Sequence, residues 1–157
     1  MMATIVFWPR RQAEDFRFSE REAVISITDP GQAPAVLTGA THVLRLSFFD
    51  LVEPIDTDPR FGPESLFGAR HAQALQQFVQ GLEAAGCVRT LVVHCEAGVS
   101  RSAAVALCVA TLTGYAFPNL ARTAYANRHV VQVCAEEWGI AITPPAPVAT
   151  KSGILLF

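Results

Sequence analysis

Apolar positions change their period several times along this chain. Ile5 to Trp8 is a short unbroken apolar run closed by Pro9, which predicts a first strand. Ala23 to Thr28 (AVISIT) predicts a second, stopped by the turn signal Asp29-Pro30-Gly31. His42 to Phe49 (HVLRLSFF) reads as another strand, ending at Asp50. Residues 50–63 hold three prolines, a glycine and several acids and read as a loop. From about Glu64 to Ala85 the pattern becomes helical, with Leu75, Phe78, Val79 and Leu82 at i, i+3, i+4 and i+7 and Gly86 as the stop. Leu91 to Val93 has no polar alternation, as expected of a central strand covered on both faces. A helix from Ser100 to Thr113 ends at Gly114, Pro118 opens a third that reaches Asn127, and Val130 to Trp138 forms a last one. The tail 143–157 contains three prolines and is expected to be extended.

Strands that alternate with helices predict an α/β fold with a mostly parallel central sheet flanked by helices. Ligands of such sheets bind at the carboxyl ends of the strands. The loops after Phe49 and Val93 are therefore the places to look for chemistry.

With 157 residues, 51% of them hydrophobic, the chain has the size and apolar content of one folded domain, taken as residues 1–157 with a core at about 23–140. A net charge of −2 predicts no general attraction to nucleic acid or to an anionic membrane. No apolar run approaches the ~18 residues of a membrane span, and the N-terminus lacks the layout of a secretory signal. The cysteines at 87, 95, 108 and 134 form no CxxC pair and no zinc-finger spacing, so neither a disulfide framework nor a metal site is expected. A cytoplasmic, reducing location is the simplest reading. His42 and His71 have no partner pattern, Cys108 reads as a core-packing residue, and Cys87 and Cys134 carry no functional signal.

One segment stands apart: His94-Cys95-Glu96-Ala97-Gly98-Val99-Ser100-Arg101-Ser102, between a buried strand and a helix. The turn is sharp, and Gly98 supplies a backbone angle that other residues adopt at a cost. Successive N–H groups in such a turn form an anion nest, to which the following helix adds the positive end of its dipole. The same cup favours the thiolate of Cys95. Arg101 offers a planar fork of donors that matches two phosphate oxygens. Five intervening residues let the loop curl around one tetrahedral dianion.

HCEAGVSRS resembles the HCxxGxxR[ST] signature of protein tyrosine phosphatases, and its flanks are similar to the small dual-specificity branch. The resemblance covers roughly Ala23 to Asn127. It implies a dual-specificity-phosphatase-like fold, no cofactor and no metal, and a phosphorylated protein or peptide as substrate. It further implies that Cys95 attacks phosphorus to form a phosphocysteine, and that Arg101 and the N–H groups of Glu96, Ala97, Gly98, Val99 and Ser100 hold the transferring oxygens. Ser102 would hydrogen-bond the sulfur as it leaves, and His94 would orient the loop rather than act as a base. Glu96 reads as a spacer whose side chain faces outward.

The family protonates the leaving oxygen with an aspartate on a separate loop. Its dual-specificity members place that acid directly after a strand, which selects Asp50. The stretch beyond is longer than in typical small members, so Asp56, Asp58 and Glu53 remain open, although Asp56 and Asp58 also suit plain turns beside Pro54 and Pro59. Asn127-Arg128-His129 reads as a helix stop with solvated charges; related phosphatases have a loop here near the active site, so fixing the substrate or the loop is the lesser alternative. Related enzymes for phosphoinositides carry cations inside the loop; Glu96, Ala97, Val99 and Ser100 include none, which favours protein substrates. The competing expectations are a phosphoinositide or small-molecule phosphatase, a rhodanese-type sulfur transferase, and an inactive phosphate-binding module.

Overall fold

The computed structural model describes residues 3–149 and 155–156. Its centre is a four-stranded, all-parallel sheet of β1 (Thr4–Pro9), β2 (Glu22–Thr28), β3 (His42–Ser47) and β4 (Thr90–Cys95), in the order β1-β4-β2-β3. The expected α/β class is present. The helices are α1 (Arg10–Asp15), α2 (Ala69–Ala85), α3 (Arg101–Thr113) and α4 (Arg128–Trp138).

Strand alternation sorts the side chains onto two faces. Ile5, Phe7, Ala23, Ile25, Ile27, Leu91 and Val93 join the main core under α2, α3 and α4. Val6, Trp8, Val24 and Val92 point the other way and are covered by Phe16, Phe18, Leu37 and Ala40. β4 lies between β1 and β2 and is sealed on both faces, which accounts for its unbroken apolar run. α3 is buried from Arg101 to Val109 because it sits between the sheet and α4. Since all four strands run parallel, Pro9, Thr28, Ser47 and Cys95 end at one edge, and the loops that follow them converge there.

Several boundaries differ from the sequence expectation, each for a packing reason. β3 stops at Ser47 instead of Phe49, because Phe48 drops into the core against Phe67 and His71 while Phe49 N bonds Ser65 O. α2 starts at Ala69, not near Glu64. Pro63–Ser65 forms a separate 3-10 turn, Leu66 and Phe67 are buried, and Gly68 N donates to His71 Nδ1 at 2.9 Å. The helix expected from Pro118 to Asn127 is a single 3-10 turn, Leu120–Thr123. Asn127 N bonds Ser100 O instead, and Asn127 opens α4 rather than closing a helix. The loop 50–63 contains a 3-10 turn at Pro59–Phe61. α1, whose sequence RRQAED has no apolar period, was not expected.

Of the tail, residues 141–147 have no regular structure and Val148–Ala149 pairs antiparallel with Leu155–Leu156; residues 150–154 and 157 lie outside the described residues. Among the described residues no helix is long and apolar enough to cross a membrane.

Candidate active site

β4 delivers Cys95 to the carboxyl edge of the sheet, and residues 96–100 turn the chain into α3. Gly98 makes that turn possible, with φ at +71°. A Cβ there would lie 2.7 Å from Trp8 C and closer still to Pro9 N, so both the angle and the space exclude a side chain. Arg10 N donates to Glu96 O at 3.2 Å and secures the same side of the loop to the end of β1.

Within this loop the Cys95 sulfur is nearly hidden from solvent. Gly98 N–H donates to Cys95 Sγ at 3.3 Å, and Ser102 Oγ lies 3.1 Å from the same sulfur. A thiol at this point therefore faces a backbone donor and a hydroxyl, with the start of α3 beside it. His94 is fully buried on β4. Its Nε2 lies 2.6 Å from Ser26 Oγ on β2, its partner in the sheet register, and its Nδ1 lies 3.3 Å from Cys95 O. Burial, only partly offset by the Cys95 carbonyl, holds the imidazole below its usual titration range. The ring is thus pinned between a serine hydroxyl and the backbone carbonyl of Cys95 at the base of the loop.

Arg101 is buried in the first turn of α3. Its Nη1 donates to Asp29 Oδ1 at 2.7 Å and to Phe48 O at 2.8 Å. Glu96, Ala97 and Val99 are exposed, as expected for Glu96. The Glu96 carboxylate accepts from Gln32 Nε2 at 3.0 Å.

Of the acids weighed from sequence, Asp50 is the one bonded to the loop. Its Oδ1 accepts from Ser100 Oγ at 2.9 Å and from Asn127 Nδ2 at 2.7 Å. Both donors fall on one oxygen, and Asp50 lines a cleft of about 500 Å³ together with Leu51, Val52, Ser100 and Arg128. Asp58 is occupied elsewhere: it caps the Pro59–Phe61 turn and pairs with Arg60 at 2.7 Å, and those bonds lower its carboxyl below the ordinary range. Asp56 and Glu53 are exposed in the same loop.

Reading residues as motifs missed Asp29 and Ser26 and gave Asn127 a place at the site only as the lesser alternative. Asn127 is buried; its Oδ1 accepts from His129 N and Val130 N as the cap of α4, while its Nδ2 donates to Asp50 Oδ1 and Leu51 O. The helix-stop reading of Asn127 is thereby corrected: its side-chain amide joins α4 to the 50–63 loop, and its backbone N–H donates to Ser100 O of the 95–101 loop. Asp29 read only as a turn former and Ser26 not at all. The available signal was positional: both lie at the carboxyl end of β2, next to β4.

Among the described residues no group of three or more His, Cys, Asp and Glu side chains could hold a metal ion. No protein-family model matches the chain, and no curated protein matches it.

Proposed function

We propose that this chain is a cysteine-dependent phosphomonoester hydrolase of the dual-specificity phosphatase type, acting on phosphotyrosine, and on phosphoserine or phosphothreonine as well, in proteins of a reducing cytoplasm. The observation that carries the reading is that the 95–101 loop holds a nucleophile and is bonded to an acid from a second loop. Cys95 Sγ receives the Gly98 N–H and neighbours Ser102, while Asp50 is tied to Ser100 five residues further on.

The chemistry runs in two displacements. Cys95 Sγ attacks phosphorus, the P–O ester bond breaks, and Asp50 gives its proton to the departing oxygen. Arg101 and the loop N–H groups hold the equatorial oxygens, where charge stabilisation is the main task. Water then attacks the phosphocysteine, Asp50 takes its proton, and the S–P bond breaks to release phosphate. The Ser102 hydroxyl supports the sulfur as it regains its charge. The exposed rim of Ala97 and Val99 and the open cleft beside Asp50 suit a phosphate displayed on a protein surface.

The test is hydrolysis of p-nitrophenyl phosphate by wild type and Cys95→Ser, with EDTA present, between pH 5 and 8. Activity that persists in EDTA and vanishes in the variant supports the reading. Equal activity in both proteins, or none in either, overturns it; thiosulfate-to-cyanide transfer would then point to a sulfur transferase.

A further inference from the structure

The turn after β2 reaches both ends of the 95–101 loop. Asp29 Oδ1 accepts from Arg101 Nη1 at 2.7 Å, and Gln32 Nε2 donates to Glu96 Oε2 at 3.0 Å. The turn is closed on itself as well. Gln32 N donates to Asp29 O, and Asp29 N donates to Gln32 Oε1, each at 3.0 Å. The Gln32 amide thus grips Asp29 with its oxygen and Glu96 with its nitrogen.

The exposures of the ion pair are unequal. The Arg101 side chain is 7% exposed and the Asp29 side chain 45%. A guanidinium so far withdrawn from water needs a partner, whereas Asp29 is solvated enough to stand alone. The pair therefore matters for where Arg101 points more than for net stability. Its direction is informative. Both Asp29 and the Phe48 carbonyl take Nη1, leaving Nε and Nη2 without partners among the described residues. Those two donors form the edge of the fork that grips two oxygens of one anion.

We propose that the Asp29–Gln32 turn is a clamp on the phosphate-binding loop, with Asp29 the positioning residue for Arg101 and Gln32 the tether of the opposite arm. This rests on reading the loop as a phosphate site. The clamp holds the fork turned inward before any ligand arrives, so the cost of ordering a long flexible side chain is met during folding rather than at binding. It also gives the exposed Glu96 a mechanical task in place of a spacer's.

The experiment is a double-mutant cycle on Asp29→Ala and Arg101→Lys, read as kcat/KM on p-nitrophenyl phosphate, with inorganic phosphate binding measured by calorimetry on the same proteins. Asp29→Ala is expected to lose on the order of 100-fold in kcat/KM, the size of effect that follows from misplacing a catalytic group. It should also weaken phosphate binding. Arg101→Lys, costly alone, should add little in the Asp29→Ala background, because the fork is already misaligned. Asp29→Asn retains an acceptor oxygen and should recover at least part of both losses. Additive effects, or an Asp29→Ala protein with wild-type kcat/KM and phosphate affinity, would overturn the clamp. If Asp29→Ala does not fold, Asp29→Asn and Gln32→Ala carry the same comparison. If wild type binds phosphate more tightly than Asp29→Ala yet hydrolyses no ester, the clamp stands and the phosphatase reading falls. If wild type binds no phosphate, both fall.

Discussion

Cys95 and Cys134 are equally hidden, at 3% and 0% exposure, yet their surroundings are opposite. Cys134 lies in the apolar seam between α3 and α4, where its neighbour Cys108 and burial both push its thiol up, out of the reactive range. Cys95 faces a backbone N–H, a hydroxyl and the first turn of α3. Burial alone makes a cysteine inert; burial against oriented donors is what suits one to nucleophilic work. The same contrast separates the two ends of the sheet. The amino edge holds a cavity of about 260 Å³ beside Leu82, Glu83 and Tyr115, with no cysteine among the described residues of its wall. There the Tyr115 hydroxyl donates to Glu83 at 3.1 Å, and burial raises the phenol to about 12. The carboxyl edge gathers three hydrogen-bonded groups around one loop: Cys95 with Gly98 and Ser102, Arg101 with Asp29, and Asp50 with Ser100 and Asn127.

The sharpest break of this comparison is a pair of substitutions. Cys95→Ser is expected to reduce ester hydrolysis to background. Cys134→Ala should leave kcat/KM within a few-fold and lower stability by roughly 1 kcal/mol, as core truncations do. Urea denaturation and initial-rate assays on both proteins separate the two roles, and a hydrolytically silent Cys134→Ala would erase the distinction.

Asp50→Asn comes next. The amide oxygen can still accept from Ser100 and Asn127, so the variant mainly removes the proton. The expected loss in kcat is about 10²–10⁴-fold. It should be greater for phenyl phosphate than for p-nitrophenyl phosphate, whose leaving group needs less protonation. Equal losses on both esters would remove Asp50 from the acid's role.

A smaller effect is expected of Asn127→Ala. Loss of the α4 cap should cost on the order of 1 kcal/mol. Loss of the bond to Asp50 should lower kcat by roughly tenfold while leaving phosphate affinity nearly unchanged. A thermal melt and a KM-against-kcat comparison test both halves, and a change confined to stability would make Asn127 a cap only.

The gentlest probe is pH. Burial lowers both His94 and His71 from the ordinary 6.5. The unfolded chain then binds more protons than the folded one at pH values between the folded and unfolded titrations. Their contribution to stability is fully present above about 6.5 and declines as the pH falls below it. The urea midpoint should be lower at pH 5 than at pH 7.5, and His71→Asn should flatten part of that slope. A midpoint independent of pH over this range would contradict the burial of both rings.

The sequence by itself determined what is local. The apolar runs located all four strands of the sheet, since alternation and β-branched content depend on neighbours within a few residues. The spacing from Cys95 to Arg101, with Gly98 between, specified the loop, because a turn's angles are set by the residues inside it. Asp50 was singled out as the acid directly after a strand, but the strand ends at Ser47, and the bonds of Asp50 to Ser100 and Asn127 come from the tertiary structure. Element ends were less legible: Phe48 left β3 for a core pocket, and the span from Pro118 to Asn127 failed as a helix, because distant partners claimed their atoms. Only the tertiary structure decided who holds the site together. Ser26 meets His94 across 68 positions, Asp29 meets Arg101 across 72, and Asn127 meets Asp50 across 77. A parallel sheet joins strands that are far apart in sequence and sends their ends to one edge, so a polar residue reading as a turn former or a helix stop becomes part of a site only when the strands are laid side by side.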